Sequence, residues 1–396
     1  DDVGYGWVVC APDEADKYRR LLAEGTDIES RLPGRLAEHL NAEVALGTIA
    51  DVDDVTDWLA TTFYYVRAES APERYGTDIG ERAREAVEEL VERGFVEQSD
   101  LELSPTPLGR LTSTYYLRPA TAERFAELAR DLPDGQRAVE ERVFRAVARA
   151  EEFGSVSARR DERAAVDPLA PGDMEPGARK VFAILRASMR GSVPQELRGD
   201  AWVIRQNALR LAAALAAFAG EFGGPVDAAA VRRVEARIEH GVPRDATGLV
   251  AIDGVGSGRA HKLADEGIAS PGAVRAAGPD ALAAAGLSAG VAERVHESAA
   301  DLPRATIEWG EFPESVVAGG TVVEEVTVRN EGGGARAGVR VTVNGVEATR
   351  REAYLGDEME VLVAADAAED LEFTVEVAFP EYPLAPVVET RTVLVE

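Results

Sequence analysis

The chain has 396 residues, with 71 Asp plus Glu against 43 Lys plus Arg and a formal net charge of −28. Its 45% hydrophobic content suits globular folding, and its length allows roughly two to four domains. Cys10 is the sole cysteine, which excludes an intramolecular disulfide and a cysteine-rich zinc site, and no apolar run reaches the roughly 18 residues of a membrane span.

The start, Asp1-Asp2-Val3, lacks the basic and apolar stretches of a signal peptide, so a cytoplasmic location without a membrane partner is expected. Gly4 to Cys10 reads as a short buried strand ended by Ala11-Pro12. Helical periodicity follows over Asp13 to Ala23, Arg35 to Ile49 and Asp53 to Val66, the last from an Asp-rich cap. Residues 78 to 118 have the order of a winged helix. A helix over Ile79 to Arg93 puts Ala83, Val87, Leu90 and Val91 on one face; a turn at Gly94 follows, and Ser104 to Gly109 is expected to be the wing.

Amphipathic, Ala-rich stretches recur at 121–131, 137–150, 176–190, 199–222 and 227–239, separated by Pro and Gly breakers, which is the pattern of a helical bundle. Residues 247 to 302 hold two helix pairs rich in Gly and Ala. Beyond Pro303 the texture becomes alternating, at Thr321 to Val328, Val339 to Val343 and Phe373 to Val377, with Asn344-Gly345 as the best hairpin turn. The expected architecture is multidomain and mainly α, with a C-terminal all-β immunoglobulin- or fibronectin-like sandwich.

Acidic excess along the whole chain, with only Lys17, Lys180 and Lys262 as lysines, suggests adaptation to high salt. Bulk charge is then background, and local cations and aromatic side chains carry the information about nucleic acid. One candidate is Leu249 to Leu263, which looks like a helix-hairpin-helix: an apolar helix, the turn Gly254-Val255-Gly256, then a second helix. Glycines permit positive φ and bring backbone N–H groups close to a phosphate, while Arg259 and Lys262, three residues apart, extend the cationic reach. The alternative is a tight helical hairpin that only packs.

A second candidate is the helix around Asp200 to Leu215. Trp202, Gln206 and Arg210 fall at i, i+4 and i+8 on one line, with Arg205 beside it, an arrangement suited to stacking on and holding a single strand. Against this, Trp202 is also a candidate core residue, and Arg205 and Arg210 candidate solvated ones. For Ala150 to Glu162 the structural reading prevails, with Phe153 packed and Arg159 paired to Asp161 or Glu162. No G-x-x-x-x-G-K-[ST] loop and no D-E-x-H-type magnesium motif occurs, and the four His (39, 240, 261 and 296) are too scattered to suggest a metal site.

The run Ile28-Glu-Ser to Gly47-Thr-Ile49, then Asp57-Trp-Leu and Thr62-Phe-Tyr-Tyr-Val-Arg67, resembles the segment leaving the second RecA-like domain of superkiller-type, superfamily-two (DEAD/DEAH-box) helicases. Residues 150–162 resemble the signature of the Sec-sixty-three homology unit that such helicases carry. The resemblance implies five parts: 1–72, remnant of the second RecA-like domain and exit helices; 73–118, winged helix; 119–240, bundle with a "ratchet" helix; 241–303, helix-hairpin-helix; 304–396, β-sandwich. It further implies a nucleic-acid-guiding region of an ATP-dependent 3′–5′ helicase. Its partners would be single-stranded DNA or RNA and a separate motor polypeptide, with ATP and Mg belonging to the motor and no cofactor held by these residues. The competing expectation is a protein-docking module of a helicase complex without nucleic-acid contact.

Overall fold

The computed structural model describes residues 6–25, 28–76 and 78–396. Two compact units are present, Asp1–Gly109 and Arg110–Glu396. The first contains α1 (Ala15–Glu24), α2 (Leu36–Leu46), α3 (Val52–Ala60), α4 (Phe63–Ser70), α5 (Pro72–Tyr75), α6 (Ile79–Glu92) and the hairpin β1 (Val96–Ser99) and β2 (Glu102–Pro105). The helix expected over Asp53 to Val66 is two helices. A capping box between Asp51 and Asp54 starts α3, and Thr62 then caps α4, its hydroxyl accepting from the Tyr65 amide at 3.2 Å.

Two expectations fail in this unit. Gly4 and Tyr5 lie outside the described residues, and Gly6 to Cys10 forms no strand: Trp7 is 88% exposed and Val9 97%, because no partner strand lies beside them among the described residues. The wing is the hairpin 96–105, turned at Asp100 (φ +54), rather than Ser104 to Gly109. Pro105 ends its second strand, and Pro107 to Gly109 already belong to α7 (Pro107–Thr114). Glu29 holds the entry to the unit: its carboxylate accepts from the Tyr75 hydroxyl and pairs with Arg67 at 3.3 Å and Arg74 at 2.6 Å. The Tyr75 hydrogen bond and the two guanidinium groups hold the Glu29 carboxyl below its usual range, against the opposing pull of desolvation.

The second unit begins with a bundle of α8 (Pro119–Arg130), α9 (Gln136–Ala148), the short α10 (Arg163–Val166), α11 (Pro176–Met189), α12 (Arg198–Phe218) and α13 (Pro225–His240). Proline occupies the first turn of α8, α11 and α13, where its missing N–H costs nothing and its fixed φ suits the helix. Edge-to-face aromatic pairs, Phe125 with Phe218 at 6.0 Å and Phe144 with Phe182 at 5.5 Å, fill the core. The end of α12 widens into a π-turn, Ala219–Gly223.

Lys180 on α11 is 1% exposed, and its ammonium donates to Glu162 at 2.7 Å, Asp200 at 2.5 Å and the Ser157 carbonyl at 3.3 Å. Glu162 therefore has Lys180 as its ionic partner, not the Arg159 guanidinium expected; from Arg159 it accepts only the backbone N–H, at 2.7 Å. Phe153 packs as expected. Burial pulls the Lys180 ammonium down in pKa, but the hydrogen bonds to Asp200 and Glu162 outweigh it and leave it raised, while Lys180 lowers Asp200. A lowered carboxyl stabilises above its unfolded-state value and loses that as pH falls; a raised ammonium loses its contribution as pH rises. The triad therefore contributes across the whole window between the two shifted values.

A single 3₁₀ turn, Thr247–Ala251, replaces the full first helix expected of the glycine hairpin, since a β-branched residue and Gly248 open the segment. It is followed by α14 (Ser257–Asp265), α15 (Pro271–Ala284), kinked at Gly278, and α16 (Ala289–Asp301), around a core that includes Leu249, Val255, Leu263 and Val274. The β-rich remainder comprises β3 (Ala305–Trp309), β4 (Ser315–Val316), β5 (Thr321–Asn330), β6 (Ala335–Val343), β7 (Val346–Leu355), β8 (Glu358–Asp366), β9 (Leu371–Ala378) and β10 (Val387–Val395).

These strands form two sheets, ordered β4-β10-β9-β6-β7 and β3-β5-β8, that share one apolar core. All pairings are antiparallel except β4 with β10. Alternation sends Leu371, Phe373, Val375 and Val377 inward from β9, and Asn344 (φ +49) and Gly345 (φ +77) make the expected turn between β6 and β7.

The five-stranded sheet is joined to α13 on its outer face. A Cβ at Gly338 of β6 would lie 2.2 Å from Pro225 Cγ, so only glycine permits this approach. Beside it, Arg340 donates to Asp227 at 3.0 Å and to Glu376 at 2.6 Å, and Arg350 of β7 donates to the Gly223 carbonyl of the π-turn. Burial pushes the Asp227 carboxyl up, with Arg340 pulling the other way.

Two stability outcomes follow from this packing. Lys180→Met strands Glu162, whose side chain is 3% exposed, and is expected to cost roughly 3–5 kcal/mol in urea unfolding; adding Glu162→Leu should recover most of it. Gly338→Ala should cost about 1–3 kcal/mol in the same measurement, because strand and helix must separate to admit the methyl group.

Candidate nucleic-acid interface

Helix α12 buries Ile204, Ala208, Leu211, Leu215 and Phe218 along one face, and its first turn is fixed by the Asp200–Lys180 bond. That orientation leaves Trp202 70% exposed, with Val203, Gln206 and Asn207 also in solvent. Trp202 is thus not a core residue. An exposed Trp on a rigid helix, with an amide donor one turn further on, is a surface on which a planar group can stack and be hydrogen-bonded.

The two arginines of this helix are engaged with carbonyls. Arg205 donates through Nη2 to the Glu239 carbonyl at 3.0 Å, near the end of α13, and its enclosed Nε has no partner among the described residues. Arg210, part-buried, donates through Nη1 to the carbonyls of Tyr115 at 2.5 Å and Tyr116 at 3.3 Å, beyond the end of α7. Trp202 and Arg210 lie eight residues apart, so the line between them runs roughly 12 Å along the axis.

The glycine hairpin is open to solvent at Gly254, Gly256, Ser257 and Gly258. Gly254 adopts φ +78, Val255 turns inward, and Gly256 is the residue before α14. The amides of Ser257, Gly258 and Arg259 form the first turn of α14 and have no intrahelical acceptor. A Cβ at Gly256 or Gly258 would meet open space, so neighbouring packing does not require these glycines. Arg259 folds back onto the Gly254 carbonyl, whereas Lys262 is exposed without a polar partner among the described residues.

The two candidate elements converge on the end of α13. Ser257 donates its hydroxyl to the His240 carbonyl at 2.5 Å, next to the Glu239 carbonyl that receives Arg205. Consecutive carbonyls therefore bind the hairpin and the Trp202-bearing end of α12 into one surface.

Sequence reasoning missed Tyr116. It lies 85% exposed with φ +52, beside the Arg210 guanidinium. Its only sequence signal is the placement of two tyrosines where a helix ends without a glycine.

The winged helix has a different electrostatic character. The exposed side of α6 and the wing carries Glu81, Glu85, Glu88, Glu92, Glu97, Asp100 and Glu102; Arg82 pairs with Asp78 at 3.4 Å, and Arg93 with Glu89. Carboxylates thus dominate where a duplex-reading winged helix needs cations. Among the described residues, no group of three or more His, Cys, Asp or Glu is placed to hold a metal, and no helix is long and apolar enough to cross a membrane.

Comparison with known proteins agrees with this division. The Sec63 Brl domain family matches residues 105–388, and a winged helix-turn-helix domain family matches residues 29–106, a span that takes in α2 to α4 as well as α6 and the wing. The chain is 33% identical over 241 residues to activating signal cointegrator 1 complex subunit 3 of Bos taurus, covering 54% of this chain and 11% of that protein. The same-named protein of Dictyostelium discoideum is 30% identical over 186 residues, covering 43% and 8%. The probable ATP-dependent DNA helicase HFM1 of Mus musculus is 34% identical over 126 residues, covering 29% and 9%. The chain thus spans about a tenth of the length of the curated relatives it matches. Bundle, glycine hairpin and most of the β-rich region lie inside one family match, and the chain belongs to the Sec63 Brl domain family, with the winged helix that accompanies that unit in superkiller-type helicases.

Proposed function

We propose that this chain is the nucleic-acid-guiding part of an ATP-dependent 3′–5′ helicase, gripping one strand with the solvent face of α12 and the glycine hairpin. The observation that carries the reading is the joining of an exposed Trp202 and an open first turn of α14 at the adjacent carbonyls of Glu239 and His240. Trp202 stacks on a base, Gln206 supplies an amide, and the free amides after Gly256, with Lys262, meet a phosphate. Arg205, Arg210 and Arg259 hold the local backbone in place through the carbonyls of Glu239, Tyr115, Tyr116 and Gly254.

Hydrolysis of ATP, with its Mg, belongs to a motor supplied in the same or another polypeptide. The mouse relative, named a probable ATP-dependent DNA helicase, supports that assignment. In this reading the two-sheet region is an immunoglobulin- or fibronectin-like sandwich that braces the bundle, the location is cytoplasmic, and the acidic surface is an adaptation to high salt. Stacking, being less salt-sensitive than ion pairing, is the larger part of the grip.

Fluorescence anisotropy with a labelled single strand, at low and at molar salt, tests this. Trp202→Ala is expected to weaken binding roughly 5- to 100-fold, as loss of one base–aromatic stack does. Lys262→Ala should weaken it less, and mainly at low salt. Unchanged affinity in both variants would remove the assignment, and absence of strand binding at either salt would favour a protein-docking role. No ATPase activity is expected from these residues alone.

A further inference from the structure

We propose that Tyr116 is a second base-stacking platform, held at the far end of the α12 track by Arg210. The proposal deepens the single-strand grip described above and rests on it.

The helix α7 ends in a Schellman motif: the Leu117 amide reaches the Thr112 carbonyl at 2.9 Å, and the Tyr116 amide reaches Ser113 at 3.1 Å. Tyr116 therefore occupies the left-handed position of the motif, which favours glycine, and has φ +52. Elsewhere this chain follows the rule: Gly47 after α2 and Gly241 after α13 take left-handed conformations. Among the described residues the other non-glycine residues with positive φ are Asp100 and Asn344, types that tolerate it. A tyrosine does not.

No hydrogen bond or ring contact of the Tyr116 side chain among the described residues compensates the strain. The residue is 85% exposed, and its hydroxyl has no hydrogen bond among the described residues, while the neighbouring Leu117 is buried. Strained backbone held at an exposed aromatic residue is the pattern of a binding site. What holds it is Arg210, whose Nη1 bridges the carbonyls of Tyr115 and Tyr116 from the same helix that displays Trp202.

The chemistry of the occupant follows. A flat aromatic face beside a guanidinium accepts a planar, electron-rich ring on a polyanionic chain, which is a nucleobase. The roughly 12 Å from Trp202 to Arg210 along α12 equals three to four base steps at about 3.4 Å each, so the two aromatic residues bracket a short run of one strand. Arg210 is a positioning residue, setting the Tyr116 backbone rather than neutralising phosphate.

The test separates a tyrosine kept for binding from one kept for structure. Tyr116→Gly, Tyr116→Phe and Trp202→Ala are compared for affinity to a labelled homopyrimidine single strand and for thermal midpoint. Tyr116→Gly is expected to leave the midpoint unchanged or raise it, and to weaken binding about fivefold or more, while Tyr116→Phe binds as the parent does. A lowered midpoint in Tyr116→Gly would make the residue structural and overturn the proposal. Parent-like binding by Tyr116→Gly, with Trp202→Ala still impaired, would overturn it and leave the α12 grip standing. If neither substitution weakens binding, both fall together.

Discussion

The arrangement depends on one buried cation. In a chain of net charge −28, Lys180 lies inside the bundle with Glu162, Asp200 and the Ser157 carbonyl around its ammonium. It ties three separate segments: the irregular stretch before α10, the helix α11 that carries it, and the first turn of α12. A compact ammonium with three rotatable donors suits three acceptors approaching from different directions, whereas the planar fork of arginine suits one carboxylate face. Without that point, the rotation of α12 about its axis, and with it the exposure of Trp202, would rest on apolar packing and on the Arg205 and Arg210 hydrogen bonds further along the helix.

Successive ties carry the register of α12 outward. Arg205 reaches the end of α13, and the glycine hairpin is attached to the same end through Ser257. At its start, α13 meets β6 so closely that position 338 admits no side chain, with Arg340 and Arg350 pairing beside the contact. The β-rich region is thereby fixed to the bundle and not appended to it. Side chains on such a frame are held by a packed helix, which suits repeated engagement of a ligand better than a loop would.

Charge is distributed to the same end. Most cations near the candidate surface are spent on backbone carbonyls, as Arg205, Arg210 and Arg259 show, and the face of the winged helix is anionic. What remains for a polyanion is aromatic surface, amides and Lys262. The proposed grip, being of that composition, would lose less to salt than one built from ion pairs.

Much of this was legible in the residues. Amphipathic period placed α6, α8, α9, α11 and α13 to within a few positions, and Asn344-Gly345 marked its hairpin, because these signals are local: a period, a proline at a helix start, a positive φ. The opening block and the order of parts identified the family. Local signals failed where partners decide. Gly6 to Cys10 reads as a strand but has none beside it among the described residues; of the strands outside the three expected runs, β7 and β10 bury few side chains and so carry little pattern; the proline-rich Ser104 to Gly109 resembles a wing although the hairpin precedes it. The ion partner of Glu162, the exposure of Trp202, the carbonyls that occupy Arg210 and the left-handed Tyr116 were settled only by tertiary structure. The ion partner of Glu162 and the carbonyls that occupy Arg210 lie 18 and 94 or 95 positions away, and no periodicity within one segment records such a neighbour.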